Sequence, residues 1–187
     1  MDNINITLPD NSVKTFPEGI TAQEVADSIG PGLARAVVVA KINGNLKDLN
    51  YKIFRDSSLE LFTGDTPEGH DTLLHSTAHL MAQAVKVLYP NAKFTIGPTI
   101  QNGFYYDFDL DVSFTEDSLA LIENKMKELS KKNQEIVRCE VSASEAINIF
   151  EKMGESYKVE IVGQINPEDT ISLYKQSDFI DLCRGPH

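Results

Sequence analysis

Residues 63–72 read TGDTPEGHDT, ten consecutive positions without an apolar side chain. No hydrophobic face can be carried through such a tract, so the apolar residues on either side must be buried in separate cores. Its two Gly, one Pro and three acids are turn and solvent-facing chemistry. The pattern predicts one domain at 1–63, a linker at 64–72 and a second domain at 73–187. A chain of 187 residues suffices for two small domains.

The first segment reads as a small β-rich unit. Ile4, Ile6 and Leu8 alternate with polar residues, Pro9-Asp10-Asn11 supplies a turn, and a second strand follows at 13–16. Thr21 and Glu24 form a capping box before Ala22, Val25, Ala26 and Ile29 at helical spacing. Gly30-Pro31-Gly32 stops that helix. Strands are expected at 36–42 and 46–49 around Asn43-Gly44, and a last one at 59–62. Strands flanking a single helix in so few residues predict a β-grasp-like arrangement.

The second segment reads as α+β, with an antiparallel sheet and one long helix. Leu74, Ala78, Met81, Val85 and Leu88 mark one buried helical face ending at Pro90. An alternating stretch then holds Asn102-Gly103, a hairpin signal. Thr115 caps a helix lined by Leu119, Ile122, Met126 and Leu129, with lysines on its solvated face. A strand at 136–141, a helix at 142–153 and strands within 171–183 complete it. Cys139 is expected as a small core residue.

Composition removes several classes of function. No apolar run approaches the roughly 18 residues of a membrane span, and the N-terminus lacks a basic signal-like region. Two cysteines build no disulfide framework, which predicts a soluble, cytoplasmic chain without a membrane partner. The net charge of −11 opposes autonomous nucleic-acid binding. Residues 1–64 hold 8 acids and 6 bases, and 65–187 hold 20 and 11.

Chemistry concentrates in a few residues. His75 and His79 stand four apart on the long helix, and Cys183 and His187 stand four apart at the other end of the segment. Three imidazoles and a thiolate make a complete tetrahedral zinc set by type. A helical histidine pair alone is as readily a hydrogen-bonded couple; the added Cys-x-x-x-His favours one shared site. No Glu follows His75, which disfavours zinc-protease chemistry. Lys158 lies in an apolar-flanked run, where burial would lower its pKa, although the local sequence favours a snorkelling lysine at a strand edge. Asp181, between Ile180 and Leu182, fits an inward or a surface carboxylate equally. The aromatics of GFYYDFD fit a core better than a nucleoside platform.

HSTAHLMAQAV, IGPTIQNGFYYDFD, GESYKVEI and DLCRGPH, in this order, closely resemble the second N-terminal domain of bacterial-type threonyl-tRNA synthetases. The preceding ITLPDNSVKTFPEG and ADSIGPGLARAVVVAKINGNL resemble the TGS domain of the same enzymes. The family continues past the motif histidine into a class II catalytic core and an anticodon-binding domain. The resemblance therefore implies an N-terminal fragment that neither activates threonine nor charges tRNA, ATP binding belonging to the full-length ligase.

What the resemblance implies is editing: hydrolysis of the seryl ester on mischarged threonine tRNA. A missing methyl is worth only about 1–3 kcal/mol of discrimination, so serine is sometimes loaded and a second, smaller pocket removes it. Carried over by motif, His75, Lys158 and Asp181 are the expected catalytic residues. His75 would handle the attacking water, Lys158 the charge on the ester oxygen, and Asp181 the substrate's amino group or hydroxyl. His79, Cys183 and His187 would line the pocket and contact the terminal adenosine. The implied partners are the acceptor end of tRNA(Thr), its seryl-adenosine moiety and the rest of the synthetase. No cofactor is expected to be required; the alternative is zinc on His75, His79, Cys183 and His187. A tRNA-positioning module without catalysis and a zinc-stabilised structural domain are the competing readings. A thioester through Cys183 is disfavoured, because nothing nearby in sequence marks an activated thiolate.

Overall fold

The computed structural model describes residues 2–101, 103–166 and 168–187. Contacts divide the chain into one unit ending at Leu73, to which Gly185–His187 also belong, and another from Leu74 to Arg184.

The first unit is built on β1 (Asn3–Thr7), β2 (Val13–Pro17), β3 (Ile20–Thr21), α1 (Ala22–Ile29), α2 (Pro31–Ala36), β4 (Val37–Ile42), β5 (Asn45–Lys47), β6 (Lys52–Ile53) and β7 (Ser57–Thr63). The main sheet runs β2-β1-β7-β4-β5. β1 and β7 are parallel, with Ile6 opposite Ser57, and the other pairs are antiparallel. Ile4 and Ile6 bury the inward face of β1 against Ala22 and Val25 of α1. The Thr21–Glu24 capping box starts α1 as expected. The β-grasp-like expectation agrees with this arrangement of sheet and helix. The short α2 was not anticipated: Pro31, read as a stop, also suits the first position of a new helix because its fixed φ is helical.

α3 (Pro67–Leu88) is the long helix, and the division between units falls within it. The expected linker at 64–72 is therefore helical from Pro67 onward. Thr66 Oγ1 accepts from the Gly69 N–H at 3.2 Å, and Pro67 and Glu68 occupy the first turn. A cap, a proline and an early acid start a helix without any apolar residue.

In the second unit α3 is enclosed on more than one side. Ala78 and Val85 are buried as its apolar stripe requires, and so are His79, Ala82, Gln83 and Ala84. β8 (Lys93–Phe94), β9 (Thr99–Ile100), β10 (Gly103–Phe104) and β11 (Phe108–Asp109) follow as two short antiparallel pairs, β10-β9 and β11-β8. Asn102, read as a turn residue, lies outside the described residues. α4 (Glu116–Ser130) contributes Ile122 and Leu129 to the core with Phe94, Tyr106 and Phe179. Leu119 was expected there but is 56% exposed.

β12 (Ile136–Val141), α5 (Ala143–Met153), α6 (Ser156–Gly163), β13 (Ile171–Gln176) and β14 (Phe179–Leu182) complete the unit. The sheet runs β12-β13-β14, antiparallel throughout. Phe150 and Val162 pack on Ile171 and Leu173. Cys139 is exposed, against expectation: it lies opposite Leu173 but on the edge strand β12, which has no strand on its other side to cover it. Ser142 starts α5 through a capping box, and Gly154 ends it in the left-handed conformation, φ 74°. That turn lets the chain enter α6, so GESYKVEI is helical and not a strand.

Candidate active site

α6 begins at Ser156, with Glu155 between it and Gly154, and its Lys158 and Val162, one turn apart, face inward. Lys158 is therefore a buried cation on a helix, and no snorkelling strand lysine. Its partner comes from β14, where Phe179 and Asp181 alternate inward. Lys158 Nζ lies 2.6 Å from Asp181 Oδ1, with both side chains 3% exposed.

Asp181 is enclosed by donors. Oδ1 also accepts from the Leu182 N–H at 2.8 Å, and Oδ2 accepts from the Tyr106 hydroxyl at 2.5 Å. His79 Nδ1 stands 3.6 Å from Oδ2. Burial alone would push the carboxyl up, but Lys158, His79 and these hydrogen bonds hold it below the usual carboxylate range. Burial, then the charge of Asp181, pushes the Tyr106 hydroxyl far up, so it remains a donor. Lys158 Nζ also donates to the Tyr106 oxygen at 3.2 Å. Of three ammonium protons two are thereby engaged.

α3 presents the histidines. His75 and His79 meet edge to face with ring centroids 5.1 Å apart. His79 is buried, which lowers its imidazole to about 4 although Asp181 pulls the other way. His75 Nε2 lies 3.1 Å from Cys183 Sγ, just past the end of β14. The half-buried Cys183 is further positioned by its carbonyl, which accepts from the Ser172 hydroxyl at 2.6 Å.

Five of the six residues expected from sequence thus meet in the second unit: His75, His79, Lys158, Asp181 and Cys183. His187 is grouped with the first unit, and its backbone N–H donates to Asp48 Oδ1 at 2.8 Å. His75, His79 and Cys183 offer donor atoms within 4.8 Å of one another, all of types that zinc accepts. Zinc bonds of about 2.1 Å to nitrogen and about 2.3 Å to sulfur at a tetrahedral angle would hold the two atoms about 3.6 Å apart. The 3.1 Å between His75 and Cys183 is shorter, and suits a direct imidazole–thiol hydrogen bond.

Two participants escaped sequence reasoning. Tyr106 sits in an aromatic run that reads as core, and its ring is buried there against Phe94 and Phe108. The one available signal was that a buried tyrosine must find a partner for its hydroxyl. Gly97 is the second: a Cβ there would lie 2.1 Å from Tyr106 Cδ2. Only glycine lets the loop before β9 approach the ring this closely.

Residues 4–63 match the TGS domain family, and they coincide with the β-grasp-like sheet and helix of the first unit. Along its whole length the chain is homologous to the N-terminal region of threonine–tRNA ligases. It is 51% identical over 187 residues to the threonine–tRNA ligase of Citrifermentans bemidjiense, covering 100% of this chain and 29% of the relative. It is 52% identical over 184 residues to that of Cupriavidus pinatubonensis, covering 98% and 29%. For the ligase of a Geobacillus species the identity is 49% over 184 residues, again 98% and 29%. The chain spans less than a third of the length of these relatives. Among the described residues no helix is long and apolar enough to cross a membrane.

Proposed function

We propose that the second unit hydrolyses an aminoacyl ester, the seryl ester of mischarged tRNA(Thr), as the editing part of a threonine–tRNA ligase. The supporting observation is the buried Lys158–Asp181–Tyr106 cluster beside the His75–Cys183 pair. A buried ammonium is useful where negative charge develops on an ester carbonyl oxygen. Lys158 has one proton left to offer it. His75 deprotonates or orients the attacking water; the water oxygen bonds to the carbonyl carbon and the bond to the ribose oxygen breaks. The water's proton passes through the imidazole to that ribose oxygen, leaving free serine and an intact tRNA end. Asp181, with both oxygens already engaged, fixes Lys158 and Tyr106 in place. His79 and Cys183 shape the pocket and contact the terminal adenosine. The partners are the acceptor end of tRNA(Thr) and the rest of the synthetase, in the cytoplasm, and the hydrolysis needs no metal.

Pre-charged seryl- and threonyl-tRNA(Thr) incubated with the chain and with His75→Ala provide the test. Loss of serine with threonine spared, abolished in the variant, is the expected result. Survival of both esters would instead indicate a tRNA-positioning module, and equal loss of both would rule out exclusion of the threonine methyl.

A further inference from the structure

α3 stays enclosed beyond His79. Gln83, one turn further along, is 5% exposed and lies against the end of the β13–β14 hairpin. Its amide nitrogen uses both protons, one on Gln134 Oε1 at 3.1 Å and one on the Gln176 carbonyl at 3.2 Å. A backbone carbonyl only accepts, so the Gln83 amide cannot be turned round. That orientation leaves Gln83 Oε1 without a partner, and among the described residues it is the one buried side-chain oxygen or nitrogen so placed. Buried polar atoms are almost always paired, and an unpaired acceptor carries its full desolvation penalty.

Gln83 also lines a cavity of about 260 Å³ within the second unit. Phe94, Leu129, Met153 and Phe179 give it apolar walls, and the exposed Val87 stands at its rim. Its three cations, Lys86, Lys132 and Lys158, are matched in number by its three carboxylates. Lys86 meets Glu155 at 2.5 Å and Lys158 meets Asp181 at 2.6 Å, so the charges of the wall are largely spent on one another. Such a wall has no call for a charged ligand. Neither His75 nor Cys183 is among the lining residues, which separates this cavity from the hydrolytic pair.

We propose that this cavity binds a small neutral molecule with a flat apolar body of one or two rings and an N–H or O–H donor, the donor bonding to Gln83 Oε1. The apolar walls take the rings, and the donor supplies the bond that the buried oxygen lacks. A cavity of about 150 Å³ already holds benzene, so the space here suffices for two fused rings. This site is independent of the ester-hydrolysis reading, and either can fail without the other.

Indole, titrated into the full chain and followed by methyl NMR, tests the proposal beside N-methylindole, which keeps the rings and lacks the donor. Saturable binding of indole in the millimolar range or tighter is expected, with shifts at the methyl groups of Val87, Leu129 and Met153. N-methylindole binds at least about fivefold more weakly, because it cannot donate to Gln83 Oε1. Gln83→Met keeps the length of the side chain and removes the acceptor, so in that variant the two probes bind alike. Leu129→Phe extends a ring into the cavity and weakens both. The proposal is overturned by absent saturation with indole, by equal affinity for the two probes in the unsubstituted chain, by a preference for indole that survives in Gln83→Met, or by shifts confined to other parts of the molecule.

Discussion

Lys158 Nζ and Asp181 Oδ1 are 2.6 Å apart, and neither side chain reaches solvent to any extent. A buried pair of this kind contributes little net stability, because both charges were first stripped of water. Removing one partner is another matter. Lys158→Met or Asp181→Leu alone leaves an uncompensated buried charge and should cost about 3–5 kcal/mol in urea denaturation. The double substitution should cost clearly less than the sum of the singles while abolishing hydrolysis as each single does. Additive losses would mean that the two charges are not coupled.

Tyr106→Phe keeps the ring and deletes the donor to Asp181 Oδ2. An acceptor left without its partner in a buried site costs about 1–3 kcal/mol. Hydrolysis should fall with the positioning of Lys158, and unchanged hydrolysis together with unchanged stability would remove Tyr106 from the site.

Gly97→Ala places a methyl where the Tyr106 ring already stands. Overpacking of this kind costs about 1–3 kcal/mol and displaces the hydroxyl from Asp181, so melting temperature and hydrolysis should fall together. Gly103→Ala is the control. A Cβ at Gly103 meets nothing within 4 Å, and stability should stay within about 0.5 kcal/mol.

His79 makes stability depend on pH. Burial lowers its imidazole to about 4 from an ordinary 6.5, so below pH 6.5 the unfolded chain takes up a proton that the folded chain refuses. Stability from this group is fully present above 6.5 and falls as the pH drops toward 4. Between pH 7.5 and pH 5 the loss should be about 2 kcal/mol, and His79→Gln should flatten it. Urea denaturation of both proteins at the two pH values reads the difference. Keeping above pH 5 avoids the capping carboxylates Glu24 and Glu145, which are held below their ordinary range by hydrogen bonds to Thr21 and Ser142 and lose their contribution only in stronger acid.

The start of α3 supplies a prediction about the tract that reads as a linker. Thr66→Ala removes the acceptor for the Gly69 N–H and should cost about 1 kcal/mol. Hydrogen exchange should show protected amides at 70–72 in the unsubstituted chain, where a disordered linker would exchange at once.

Much of this molecule is local and could therefore be read from sequence. Alternation in β1, the Thr21–Glu24 box, the apolar stripe of α3 and the strand–helix succession at 136–153 are short-range patterns whose physics acts within a few residues. His75, His79, Lys158, Asp181 and Cys183 were legible as candidates, by residue type, spacing and resemblance. What sequence could not express is which long-range neighbours satisfy which buried group. The local pattern around Lys158 favoured an exposed lysine. Its burial follows from the inward turn of α6 and from Asp181 on β14, 23 residues further on. The same holds for Cys139, left outside by its edge strand, and for Leu119, which its helical spacing turned toward a core that does not reach it. Tyr106 became part of the site because its hydroxyl had to find an acceptor inside the protein, 75 positions away. The cavity beside Gln83 likewise exists only once α3, α4 and the β13–β14 hairpin have packed together. Burying a charge or a hydroxyl demands a partner, and only the tertiary structure decides which residue that is.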